Sequence, residues 1–252
     1  MIEFEHLTIA APEADRTLLE YCELIGVDPR SADETSLRLE NIELRVASAE
    51  EGARSGIETV GLIGEVGGQR GRWTLGSRDA SAAAGRSEVP FETDAGLAAA
   101  SEPPGSTDPA AIHAVDHIVI RSRDVDGTRR LFEEGFGLRV LFDREFPDWK
   151  VRLCMCRVGD AVLEIAGALA QSADQDASGQ PDEVGGAAGE KPRDRLWGVT
   201  WRVRDIEAAH ARISSAGFDT SDVRTGRRPG TRVFTVRDRT GGVPTLIIQP
   251  AD

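Results

Sequence analysis

Lysine is nearly missing from this chain. Only Lys150 and Lys191 occur among 252 residues, so the positive charge is almost entirely arginine, and the formal net charge is −13. A duplex nucleic-acid partner is excluded on that count, because binding phosphates requires a basic surface. No run of about 18 apolar residues occurs, which argues against a membrane span. The amino terminus, MIEFEHLTIAAPEAD, is acidic where a secretion signal is basic and then continuously apolar. A cytoplasmic location is expected. Cysteine is scarce too: Cys22, Cys154 and Cys156 form no disulfide framework. Cys154 and Cys156 lie two apart in KVRLCMCRV and share one strand face, too close along an extended strand to bridge comfortably. Buried thiols and a metal or redox pair are the two readings.

What the chain does contain is a repeat. FEHLTIAAPEADRTLLEYCELIGV near the start corresponds to VDHIVIRSRDVDGTRRLFEEGFGLRV more than a hundred residues later. In each copy an acid and a histidine, Glu5 and His6 or Asp116 and His117, open an apolar strand-like run, and a helical pattern then closes on Gly26 or Gly137. A carboxylate recurs downstream in each, Glu43 in NIELRV and Glu164 in AVLEIAG. Self-similarity of this kind marks a duplicated supersecondary unit, here with a His/Glu pair in each copy.

Two segments interrupt the periodicity. Residues 77–111 are rich in Ala, Ser, Gly and Pro and read as a linker; residues 169–194 are polar and Gly-rich and are expected to form a mobile loop. Three regions follow: a degenerate amino half (1–76), the linker (77–111) and a carboxyl domain (112–252). In the last, strands over 115–121, 138–143, 150–158 and 161–166 with a helix over 125–134 make one βαβββ unit. LWGVTWRV, a helix over 205–216 and strands over 218–223, 232–237 and 243–249 make a second. In the amino half a strand over 2–10, a helix over 14–24 and two short strands meeting near Asn41 repeat the plan. GIETVGLIGEV would open another unit, but no helix pattern follows it. The fold class is α+β.

Tandem βαβββ units with an acid-His dipeptide in the first strand and a carboxylate in the last resemble the vicinal oxygen chelate superfamily, the group of glyoxalase I, the bleomycin resistance proteins and the extradiol dioxygenases. The resemblance is clearest over 114–250 and weaker over 1–64. It implies curved, half-open mixed sheets around a cavity in which a divalent metal ion is held by imidazole and carboxylate and chelated by two adjacent oxygens of a small-molecule substrate. His117 and Glu164 match the ligand positions in the third unit, and His6 and Glu43 match them in the first. Glu164 or Glu43, displaced from the metal, would serve as the catalytic base. In the last unit Gly198 stands where His117 does, and VPTLIIQ has no acid. A full ligand set therefore needs the first unit to face the third, or a second chain in a homodimer.

The resemblance implies a metal-dependent lyase or isomerase of the glyoxalase kind. A metal-free, antibiotic-type binding protein is the alternative, and an extradiol dioxygenase is disfavoured by Gly198 and the acid-free last strand. Each residue also has a structural reading. A histidine opening a strand can bond a neighbouring backbone group, and Glu43, alternating with Glu40 and Arg45, can face water. His113 and His210 read as surface or packing residues. Trp197 and Trp201, four apart on one strand, either line an apolar pocket or pack in the core. The loop RTGRRPGTR reads as a hairpin connection, but Arg227, Arg228 and Arg232 also suit a clamp for a substrate carboxylate or phosphate.

Overall fold

A computed structural model describes residues 1–33, 35–50, 55–76, 107–169 and 194–251. Most of the expected linker and loop, residues 77–106 and 170–193, lies outside the described residues.

The carboxyl half folds as two βαβββ units. The first comprises β6 (Ala114–Arg121), α2 (Val125–Arg130, continued by a π-helical turn at Leu131–Gly135), β7 (Val140–Phe146), β8 (Val151–Val158) and β9 (Ala161–Ala168). The second comprises β10 (Arg195–Arg202), α3 (Ile206–Ser215), β11 (Arg224–Thr225), β12 (Arg232–Val236) and β13 (Thr245–Gln249). In each unit the first strand runs parallel to the last, and β6 and β10 join the units antiparallel. The result is one eight-stranded sheet, β11-β12-β13-β10-β6-β9-β8-β7. Acidic caps start both helices: Asp124 accepts from the Gly127 N–H, and Asp205 from those of Glu207 and Ala208.

The amino half supplies β1 (Glu3–Ala11), α1 (Ala14–Ile25), β2 (Ser36–Arg38), β3 (Glu43–Ser48), β4 (Gly56–Val66) and β5 (Gln69–Gly76) in a second sheet of order β2-β3-β1-β4-β5. β1 lies parallel to β3 and antiparallel to β4, the same arrangement that β6 makes with β9 and β10. α1 buries Leu18, Tyr21, Cys22 and Ile25 at helical spacing, and Gly26 ends it in the left-handed region at φ 88°. GGQRGRWTLG, which shows no helical pattern, forms a hairpin strand. Trp73 and Leu75 are buried on either side of exposed Thr74, and Trp73 meets Phe136 edge-on at 5.6 Å.

Contacts between the halves satisfy backbone groups that would otherwise be orphaned. Arg212 of α3 donates to the carbonyls of Glu23 and Leu24, both at 2.7 Å, at the carboxyl end of α1. The Tyr21 hydroxyl donates to the Thr240 carbonyl at 2.8 Å.

Two expected features differ. The segment 218–223 makes only an isolated bridge, Thr220 to Val236, because the Ser221 hydroxyl, not a ladder carbonyl, accepts from the Thr235 N–H. Trp197 and Trp201 do not share a face, since β10 takes two steps from Leu196 to Gly198 against one from Ile120 to Val119 on β6, which makes Trp197 a bulged residue, while Trp201 keeps the alternation of Val199. Trp201 is 0% exposed and belongs to the core; Trp197 is 36% exposed with Arg121 stacked on it at 5.1 Å. Cys22, Cys154 and Cys156 are buried free thiols.

Candidate functional site

The inner face of the eight-stranded sheet, opposite the helices, is set by strand register. Phe142 pairs with Met155, Met155 with Glu164, Glu164 with Val119 and Val119 with Gly198, so these five stand in one row across β7, β8, β9, β6 and β10. One row along, His117 is opposite Thr200. The neighbouring residues Ile118, Leu163, Cys154 and Val199 point to the helices and form the core.

His117 is held at both ring nitrogens. Nδ1 donates to Asp116 Oδ1 at 2.8 Å, and Nε2 lies 2.9 Å from the Thr200 hydroxyl and 3.8 Å from Glu164 Oε2. Asp116 is buried, and its other oxygen accepts from Arg202 Nε at 3.0 Å. Arg202 is itself fixed by Asp160 at 2.9 Å. Burial pushes the Asp116 carboxyl up, but His117 and Arg202 outweigh it and hold the group well below the usual carboxylate range. An ionised Asp116 holds a proton on His117 Nδ1, so proton exchange at this ring runs through Nε2, beside Glu164 and the Thr200 hydroxyl, and the carboxylate behind the ring stabilises the imidazolium form.

The arginine loop closes over this face. Arg228 Nη2 stands 3.7 Å from Asp116 Oδ2. Arg227 lies 4.2 Å above the ring of Trp149, in the turn between β7 and β8, and so links the two edges of the sheet. Trp149 stacks on Phe146 at 5.1 Å, and Phe146 meets Phe142 edge-on at 6.4 Å. Arg232 takes a different direction and pairs with Glu207 on α3 at 2.5 Å.

The fourth unit contributes no acid or imidazole. Register makes Gly198 the counterpart of His117, and Leu246, paired with Thr200, the counterpart of Glu164. A tightly held divalent ion takes three or more protein donors. Among the described residues no three His, Cys, Asp or Glu side chains form such a group. The donors present, two side chains and a threonine hydroxyl already bonded to the imidazole, do not fit a complete metal site.

The first unit does not supply the missing ligands. His6 and Glu43 lie on the other sheet and are direct partners, whereas Glu164 sits two residues beyond the partner of His117. Arg45, opposite Thr8, occupies the position of Glu164, and it holds Glu43 in an ion pair at 2.7 Å. The two His/Glu pairs are therefore not equivalent, and they do not converge. His6 is buried with its ring over Gly61; burial and the nearby Arg45 both lower its pKa. His113 bonds Glu40, and His210 bonds the Ser221 carbonyl, both outside the site. A cavity of about 600 Å³ lined by Ile2, Glu65, Phe136 and Arg139 contains none of the residues around His117.

Thr200 and Arg202 were not singled out by sequence, although both stand on β10 opposite the acid-His dipeptide once the two first strands are paired antiparallel. With this geometry in view, residues 116–235 match the profile of the Glyoxalase/Bleomycin resistance protein/Dioxygenase superfamily. This segment belongs to that superfamily. No curated protein matches the sequence. Solved structures similar to the chain include methylmalonyl-CoA epimerase from Mycobacterium tuberculosis, 18% identical with a TM-score of 0.43 over 56% of this chain and 90% of that one. A hypothetical protein from Bacillus halodurans C-125 is 16% identical with a TM-score of 0.42, covering 55% and 95%. Methylmalonyl-CoA epimerase from Streptomyces coelicolor, in complex with 2-nitronate-propionyl-CoA, is 20% identical with a TM-score of 0.41, covering 56% and 100%. At that level of similarity nothing about substrate passes from these proteins to this chain. Among the described residues no helix is long and apolar enough to cross a membrane.

Proposed function

We propose that the inner face of the carboxyl half is the active site of a glyoxalase-like isomerase or lyase that moves a proton on a small oxygenated substrate. The observation that carries this reading is the acid–base group itself: Glu164 and His117 Nε2 stand 3.8 Å apart, with Asp116 fixing the imidazole from behind. The Glu164 carboxylate takes a proton from the carbon beside a carbonyl. The His117 imidazolium, stabilised by Asp116, gives its Nε2 proton to the carbonyl oxygen as negative charge develops there. The C–H bond breaks, an O–H bond forms, and the enol leaves or is reprotonated at carbon. Positioned groups of this kind contribute roughly 10²–10⁴-fold each.

The test is solvent-deuterium incorporation into small 2-oxo acids and hydroxyketones, followed by NMR. Wild-type protein should exchange the carbon-bound proton, and Glu164→Gln should be slower by about 100-fold or more. A second reading, a metal-free binding protein, is favoured by Gly198 and Leu246 at the positions where acid–base residues are missing. Binding of such compounds with no exchange would select it.

A further inference from the structure

The inner face is chemically divided. On the β6–β10 side of Glu164 stand His117, Thr200 and Asp116; on the other side the same row continues as Met155 and Phe142, then turns along Phe146 to Trp149. These are large apolar groups, yet Phe142, Phe146 and Met155 are only partly buried and Trp149 is 48% exposed. Apolar surface left uncovered beside a few convergent polar groups is how small-molecule sites are built. Two strand spacings separate Glu164 from Phe142, about 10 Å. That distance admits one ring beyond a carbon held over the carboxylate.

The charge above the face is equally specific. Both oxygens of Asp116 already have partners within 3.0 Å, so its 3.7 Å approach to Arg228 is longer than a hydrogen bond. The Arg228 fork can therefore meet a second anion. Arg227 is stacked on Trp149 and Arg232 is paired with Glu207, which leaves one guanidinium for the ligand. One guanidinium matches a carboxylate in two parallel hydrogen bonds. A phosphate dianion would place more charge near Asp116 and Glu164 than the Arg228 fork offsets, since Arg202 is already committed to Asp116 and Asp160.

We propose that the ligand is a monocarboxylate with a planar apolar substituent, of the aryl 2-oxo acid class: carboxylate on Arg228, reacting carbon over Glu164, ring along Met155, Phe142 and Phe146 under the Arg227–Trp149 strap. This rests on the proton-transfer reading only for the reaction, which is keto–enol isomerisation: the C3 proton goes to Glu164, and the C2 oxygen receives a proton from His117.

Phenylpyruvate and pyruvate serve as probes on the full chain, with binding followed by calorimetry and exchange by NMR. Phenylpyruvate should bind at least ~10-fold more tightly than pyruvate, as burial of a ring on an apolar wall gives. Arg228→Gln should weaken phenylpyruvate by about 10-fold or more, the loss expected for a charge-assisted bond. Phe142→Ala should abolish most of the preference over pyruvate, and Phe142→Leu should keep part of it if the loss is one of contact and not of folding. Equal affinity for the two acids, or an Arg228→Gln protein that binds like wild type, overturns the proposal. Tight, Arg228-dependent binding without exchange upholds the ligand class and removes the proton-transfer reading. Exchange on pyruvate with no preference for the aryl acid upholds proton transfer and removes the ligand class.

Discussion

The guanidinium of Arg228 stands 3.7 Å from the carboxylate of Asp116, the residue that fixes His117 from behind. A loop on one edge of the eight-stranded sheet thus reaches the acid–base group near its centre, and the neighbouring Arg227 carries the contact on to Trp149 at the other edge. The two arginines are expected to act on ligand and not on stability. An exposed cation–π pair contributes about 0.5–1 kcal/mol, so Trp149→Ala should leave the melting temperature within a few degrees while weakening ligand binding. Differential scanning fluorimetry with and without ligand checks both halves of that statement.

Asp116 should behave as a buried, obligatory charge. Removing it takes the charged acceptor from both His117 Nδ1 and Arg202 Nε, with Asp160 still holding the far end of Arg202, and breaking a buried pair costs about 3–5 kcal/mol. Asp116→Asn should therefore lower the urea midpoint sharply at pH 7. The sign of the pH effect follows from its depressed pKa: the contribution is complete above the unfolded value, ~3.9, and is lost as pH falls below that toward the folded value. Wild type should converge toward the variant between about pH 4 and pH 2, and urea titrations across that range measure it.

Gly61 makes room for His6. An added Cβ would lie 2.3 Å from the imidazole ring, inside any real contact. Gly61→Ala is expected to destabilise the amino half by about 1–3 kcal/mol, the usual cost of overpacking. His6→Ala in the same chain should recover most of it, and a double-mutant cycle by chemical denaturation reads the coupling.

Much of the architecture was legible in the chain because the repeat carried its own punctuation. The helix read over 205–216 starts at its acidic cap Asp205, the stop at Gly26 ends α1, and each acid-His pair falls in the first strand of its unit. The departures have physical causes that composition does not reveal. A β-bulge on β10 sends Trp197 outward, while Trp201 follows Val199 into the core. A two-residue offset in parallel register puts Arg45, not Glu43, at the position of Glu164. Counting acids in strand-like runs finds the carboxylates but not the register, and register decides which of them faces a histidine. Thr200 and Arg202 were hidden for the same reason, since only the antiparallel pairing of β6 with β10 brings them to Asp116 and His117.

The central claim is that the acid–base centre belongs to the carboxyl half alone. Solvent-deuterium incorporation in four single variants tests it most directly. His117→Ala and Glu164→Gln should each lose about 100-fold or more, while His6→Ala and Glu43→Gln, on the other sheet, should exchange at the wild-type rate wherever they remain folded. Comparable losses in all four would contradict the account and show that the two His/Glu pairs work as one site.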